Sequence, residues 1–132
     1  MGYTIKVPNT SLLTVVETPS FLQDSKKLLD KDEREALITY LASSPNAGVL
    51  IKGTGGIRKL RWAREDTGKS GAYRVIYFFH SMEIPIFILN VFAKNEKVNI
   101  SQAERSELKQ LAGLLVKQYK IARKDNERKK NN

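Results

Sequence analysis

The chain has 132 residues and 15.0 kDa of mass, which is enough for one core; divided in two, each half would bury too little apolar surface to be secure. With 41% hydrophobic and 28% charged residues it reads as a globular domain, and the lack of cysteine with a single histidine excludes disulfides, thiolate chemistry and Cys- or multi-His metal centres. The expected arrangement is therefore a single domain over residues 1–132, with flexible ends at 1–12 and 123–132. No stretch is apolar enough for a membrane span, and the first ten residues lack the charged start and apolar run of a secretory signal, so a cytoplasmic protein is expected.

The elements follow in chain order. Residues 12–17 (LLTVVE) form a short β-branched run of strand type. Thr18 and Pro19 have the pattern of an N-cap and first helical residue, predicting a helix to about Leu29 with Phe21, Leu22, Leu28 and Leu29 on one face. Asp30 and Glu33 have capping-box spacing, and Ala36, Leu37, Tyr40 and Leu41 continue a second helix until Ser43-Ser44-Pro45 stops it. From Val49 the period shortens. VLIKGTGG, IRKLRWA, AYRVIYFF and IPIFILNVFA predict an antiparallel meander, with residues 73–79 and 84–92 as central strands because both alternating faces are apolar. Pro85 then belongs at a strand end or bulge. A second capping box at Ser101 and Glu104 opens a last helix with a stripe of Leu108, Leu111, Leu115, Tyr119 and Ala122. The class is α+β: an N-terminal strand, a helical hairpin, a mostly antiparallel sheet of four to five strands with one face partly open, and a C-terminal helix.

The net charge of +9 is unevenly placed. Residues 52–74 hold seven basic and two acidic side chains, residues 117–132 the same, and everything else sums to −1. Such clustering points to a polyanionic partner, nucleic acid first. Strand alternation puts Lys59 and Arg61 on one face with Ile57 and Ala63, and Arg58, Leu60, Trp62 and Arg64 on the other. Lys59 and Arg61 are then roughly 7 Å apart, a spacing suited to successive phosphates of an extended strand. Arg74 starts the next strand and Lys94 ends the one after, so four cations can converge on one side of the sheet. Against this stands the ordinary reading of a basic strand as a solvated face. His80 fits a capped strand end, Trp62 and Tyr73 fit packing as well as base stacking, and Glu96 fits a weak exposed ion pair. The basic tail from Arg123 to Lys130 could add sequence-independent RNA contact or be a solvated end.

GTGGIRKLRWA at 53–63, YRVIY at 73–77 and FAKNE at 92–96 together resemble the RelE/HigB superfamily of bacterial toxins, in particular its HigB-like branch with a glycine-rich turn before K-L-R. The resemblance spans residues 13–120 and carries the same order of elements. It implies a RelE-like fold and a metal-independent, cofactor-free endoribonuclease that cuts mRNA in the decoding site of the ribosome. The implied partners are the ribosome, mRNA and a cognate antitoxin, itself expected to bind DNA. Matching the motifs position by position implies that Arg61 and Arg74 clamp the scissile phosphate, and that Lys59 or Lys94 acts as general base or electrostatic catalyst. Arg58, Arg64, Lys69 and Lys52 are the implied RNA contacts around them. Some relatives place a Tyr or His near the start of the last helix; here that position falls near Ser101, which cannot serve as an acid or base of that kind. Two rival readings use the same residues: a catalytically weak RNA- or ribosome-binding module on this fold, and a DNA-binding or structural protein whose charge serves solubility.

Overall fold

The computed structural model describes residues 13–62, 72–93 and 100–131, the last ten of these as backbone only. The elements are β1 (Val15–Glu17), α1 (Pro19–Leu28), α2 (Lys31–Ser43), β2 (Val49–Leu50), β3 (Ile57–Trp62), β4 (Tyr73–Phe78), β5 (Ile86–Ala93) and α3 (Gln102–Asn131). They build a five-stranded sheet in the order β1-β5-β4-β3-β2, antiparallel except for the parallel pair β1 and β5. This is the expected α+β architecture.

The helix starts form as the local chemistry requires. Thr18 caps α1 by accepting from Phe21 N, and its hydroxyl donates to Ile88 O at 2.8 Å, so one side chain ends β1, starts α1 and ties both to β5. The Asp30/Glu33 box caps α2 with both reciprocal bonds, at 2.8 and 2.9 Å. Past Ile88, where β1 has ended, α1 runs along the free edge of β5. There Asp24 accepts from Val91 N at 3.2 Å, satisfying an edge donor that would otherwise invite another strand.

Each sheet face has its own core. Under α1 and α2 lie Phe21, Leu37, Leu41, Leu60, Val75, Tyr77, Ile86, Ile88 and Val91. Under α3 lie Ile51, Ile57, Ile76, Phe78, Ile84, Leu89 and Ala112, with Leu108, Leu115, Val116 and Tyr119 packed on them. Burying a side chain such as Phe21 or Phe78 completely stabilises the fold by about 1.5–3 kcal/mol before entropy is counted. β4 and β5 are central and apolar on both faces, as their sequences require.

Two differences from the sequence reading have physical causes. The strand expected at 49–56 shrinks to Val49–Leu50, because Gly53, Gly55 and Gly56 adopt positive φ and turn the chain; at Gly56 (φ 130°) a Cβ would also stand 2.9 Å from the Phe78 ring. Pro85 sits at a strand end as expected, directly before β5; the register irregularity falls elsewhere, between Ile76 and Tyr77, where their partners jump from Asn90 to Ile88. On α3, Ala112 is buried and Leu111 is 36% exposed, so the helix is turned slightly from the expected stripe: a small residue at Ala112 lets it settle close to the sheet. The side chain of Ala122 lies outside those described. The helix itself continues past Arg123 to Asn131.

Candidate functional site

The antiparallel register of β3 and β4 sets the site. It pairs Arg61 directly with Arg74, Lys59 with Ile76, and Arg74 in turn with Phe92 of β5. Alternation puts Lys59 and Arg61 on the face of Ile57, and Arg74 on the face of Ile76 and Phe78, which is the side of α3. Two guanidinium stems therefore leave the sheet side by side, about 4.5–5.5 Å apart at their Cβ atoms. Lys59 stands one side-chain repeat along β3, roughly 7 Å away. Like charges placed directly opposite destabilise a sheet. The strands bring this pair together at a cost to the fold.

Arg61 is exposed and Lys59 and Arg74 are half-buried. Nη1 of Arg74 is shielded from solvent and has no hydrogen-bond partner among the described residues. A shielded, unpartnered guanidinium N–H is a donor awaiting an acceptor, and a phosphate oxygen suits its planar fork. The face is not as open as the sequence suggested. α3 covers its centre over Ile57, Ile76, Phe78 and Leu89, leaving the cations around the helix rather than on a bare sheet.

The other sequence-selected residues divide. Arg58 points to the opposite face, where Nη1 donates to Gly48 O at 2.7 Å and reaches Asn46 O at 3.5 Å; it pins the loop after α2 and does not join Lys59, Arg61 and Arg74. Trp62 packs on Tyr40 with ring centroids 5.3 Å apart, and Tyr73 is buried with its hydroxyl donating to Leu28 O at 2.9 Å, so both are packing aromatics. His80 is exposed at the end of β4, its ring against Phe78. Ser101 caps α3 by accepting from Glu104 N at 3.1 Å. Lys52 lies on the turn between β2 and β3. Arg64, Lys69, Lys94 and Glu96 lie outside the described residues. Among the described residues no cluster of His, Asp or Glu could hold a metal ion, and no helix is long and apolar enough to cross a membrane.

Tyr77 is an organising residue that the sequence reading passed over. Its buried hydroxyl donates to Pro45 O at 2.7 Å and accepts from Gly48 N at 2.8 Å, and burial pushes its pKa above the usual tyrosine value. The signal was the Gly48 partner: a Cβ there would stand 2.8 Å from the Tyr77 ring, a closeness visible only once the strands are paired.

The profile of the family described as "RelE toxin of RelE / RelB toxin-antitoxin system" matches residues 25–128, the segment holding every element from α2 to most of α3. The chain belongs to the RelE toxin family. Among solved structures it is similar to a mutant of E. coli toxin RelE in the free state, at 20% identity and a TM-score of 0.47, over 64% of this chain and 85% of that one. The charged pair Arg61 and Arg74 thus sits in the sheet of a RelE-family toxin, on strands inside the matched segment.

Proposed function

We propose that this RelE-family chain is a ribosome-dependent mRNA endonuclease of the HigB-like branch, acting as the toxin of a two-protein module and held inactive by its antitoxin. The observation that carries the reading is the directly opposed pair Arg61 and Arg74, with an unpartnered Nη1 on Arg74 and Lys59 one repeat away on the same face. The reaction such a set serves is attack of a ribose 2'-oxygen on the neighbouring phosphorus. The 2'-hydroxyl gives its proton to a base, the new P–O bond forms, the P–O5' bond breaks and the 5'-oxygen takes up a proton. The products are a 2',3'-cyclic phosphate and a 5'-hydroxyl end. Arg61 and Arg74 hold the non-bridging oxygens and stabilise charge that builds on them, a contribution of a few kcal/mol per donor. Lys59 and Lys94 share the proton transfer and the remaining electrostatic stabilisation. The ribosome supplies the in-line geometry by fixing the mRNA, which accounts for so sparse a set of catalytic groups.

Primer extension on an mRNA in a purified translation system tests this. New 5' ends should appear with wild-type protein only when ribosomes are present, and Arg74→Ala should lower their rate of formation about a hundredfold or more. Equal cutting of naked RNA, or near wild-type cutting by folded Arg74→Ala, would overturn the reading. Lys59→Arg keeps the charge but has no proton to exchange near neutral pH. A drop of about a hundredfold assigns proton transfer to Lys59; full activity leaves it an electrostatic role and moves the base to Lys94.

A further inference from the structure

The turn between β2 and β3 meets the first turns of α3 around a concavity of about 310 Å³. It is lined by Lys52, Gly53, Gln102, Arg105, Ser106 and Lys109. Three of these are cations, two more are neutral hydrogen-bonding side chains, and no acidic side chain among the described residues lines it. Nε of Arg105 is shielded and has no hydrogen-bond partner among the described residues, while Lys52 and Lys109 are exposed. α3 sorts its charges by side: Arg105 and Lys109 turn to this concavity, and Glu104 and Glu107 turn to a larger groove against β5 and α1. Like charges four residues apart weaken a helix, and three cations around one concavity raise its potential further. The described fold draws no ion pair from them.

We propose that this concavity is a phosphate subsite for an RNA backbone, a short distance along the strand from the phosphate held at Arg61 and Arg74. The proposal rests on the RNA reading of the sheet face. β3 leads from the turn to Arg61: Ile57 and Arg61 are about 13 Å apart by strand rise, and Lys59 stands midway on the same face. The cations thus form a track from Lys52, Arg105 and Lys109 past Lys59 to the Arg61 and Arg74 pair, a span that a short extended stretch of RNA covers. In the subsite, Lys52 and Lys109 supply point charges, Arg105 a directed N–H, and Ser106 and Gln102 neutral donors. Gly53 lines the concavity at positive φ, and a Cβ there would meet nothing within 4 Å. Lys52 alone is visible in the sequence as a member of the basic run; Arg105 and Lys109 join it only through the tertiary fold.

Two measurements on the full-length protein test the subsite. In the first, inorganic phosphate is titrated and amide resonances are followed by NMR. Shifts at Gly53, Arg105 and Ser106 in the wild type, lost in Lys52→Ala/Lys109→Ala, support it. In the second, fluorescence anisotropy follows binding of 2'-O-methyl oligonucleotides of increasing length, which lack the attacking hydroxyl and stay intact. Wild-type affinity should step up about tenfold at the length that reaches the concavity. The double variant should lose that step and show a salt slope shallower by about 0.7 for the one phosphate released. Identical steps and slopes in the two proteins would overturn the proposal, as would an acidic peptide that moves the same amides at lower concentration than phosphate, which would assign the concavity to a protein segment. Arg74→Ala separates this proposal from the cleavage reading: a length step that persists in that variant, or in a wild type that cuts no mRNA, supports the subsite by itself, because the step is read without any cutting.

Discussion

Arg58 and Arg61 stand three residues apart on β3, and their guanidinium groups meet opposite fates. Arg58 turns toward α2 and gives its Nη1 to Gly48 O, in a region where Tyr77 also ties down Pro45 and Gly48, although its Nε is shielded and has no partner among the described residues. Arg61 turns toward α3, faces Arg74 across the ladder and stays exposed, and Arg74 keeps a shielded N–H without a partner. On one face the arginine's Nη1 holds a loop; on the other, two arginines stand opposed with no loop carbonyl between them among the described hydrogen bonds. The difference teaches that a count of basic residues on this strand says nothing about binding until each is assigned to a face and a partner.

That contrast can be broken by exchanging which property suffers. The largest effect is expected from Arg74→Ala and Arg61→Ala, each lowering single-turnover cleavage by about a hundredfold or more while thermal unfolding moves little. Arg58→Ala should do the reverse, with cleavage largely kept and stability lowered by about 1–2 kcal/mol, since two loop carbonyls lose a charged donor. Equal losses of cleavage for Arg58 and Arg74 in folded proteins would erase the distinction between the faces.

Tyr77→Phe removes a buried hydroxyl and leaves Gly48 N and Pro45 O unpaired, so urea denaturation should show a loss of about 1–3 kcal/mol. The same residue sets an alkaline limit. Burial is the main cause raising its pKa in the fold, so the folded state favours the protonated phenol; its contribution is complete below the ordinary tyrosine value of 10.0 and is lost as pH rises through the higher folded value. Stability of the wild type should therefore decline above about pH 10 more steeply than that of Tyr77→Phe, as followed by fluorescence-monitored unfolding across that range. The smallest effect sharpens the other side: Arg61→Thr relieves a like-charge pair and adds a β-branched residue, and should raise stability by about 0.2–1 kcal/mol as activity disappears. A destabilised Arg61→Thr would mean that the pair is structural after all.

Much of this was legible in the chain. The Thr18-Pro19 start, the Asp30/Glu33 box and the Ser101/Glu104 box all formed as their spacing predicted, because a cap is a hydrogen bond between residues three apart and owes nothing to the rest of the molecule. The sorting of Lys59 and Arg61 from Arg58 was equally legible, since alternation is a local property of extended backbone. The motifs at 53–63, 73–77 and 92–96 likewise point to the RelE family, whose match spans residues 25–128.

What tertiary structure alone decided is every relation that joins distant segments. The opposition of Arg61 and Arg74 depends on the β3–β4 register, and a slip of one residue would have sent one of them to the other face. The parallel docking of β1 on β5, the closing of that edge by Asp24, and the choice of Ala112 over Leu111 for contact with the sheet follow from how layers fit, which residue spacing along one helix does not encode. The meeting of Lys52 with Arg105 and Lys109 belongs to the same class: the sequence set each charge, but only the packing of α3 across the sheet beside the β2–β3 turn made a concavity of them. Caps and alternation arise from short-range geometry, whereas register and helix docking are fixed by burying both apolar faces at once, a condition on the whole fold.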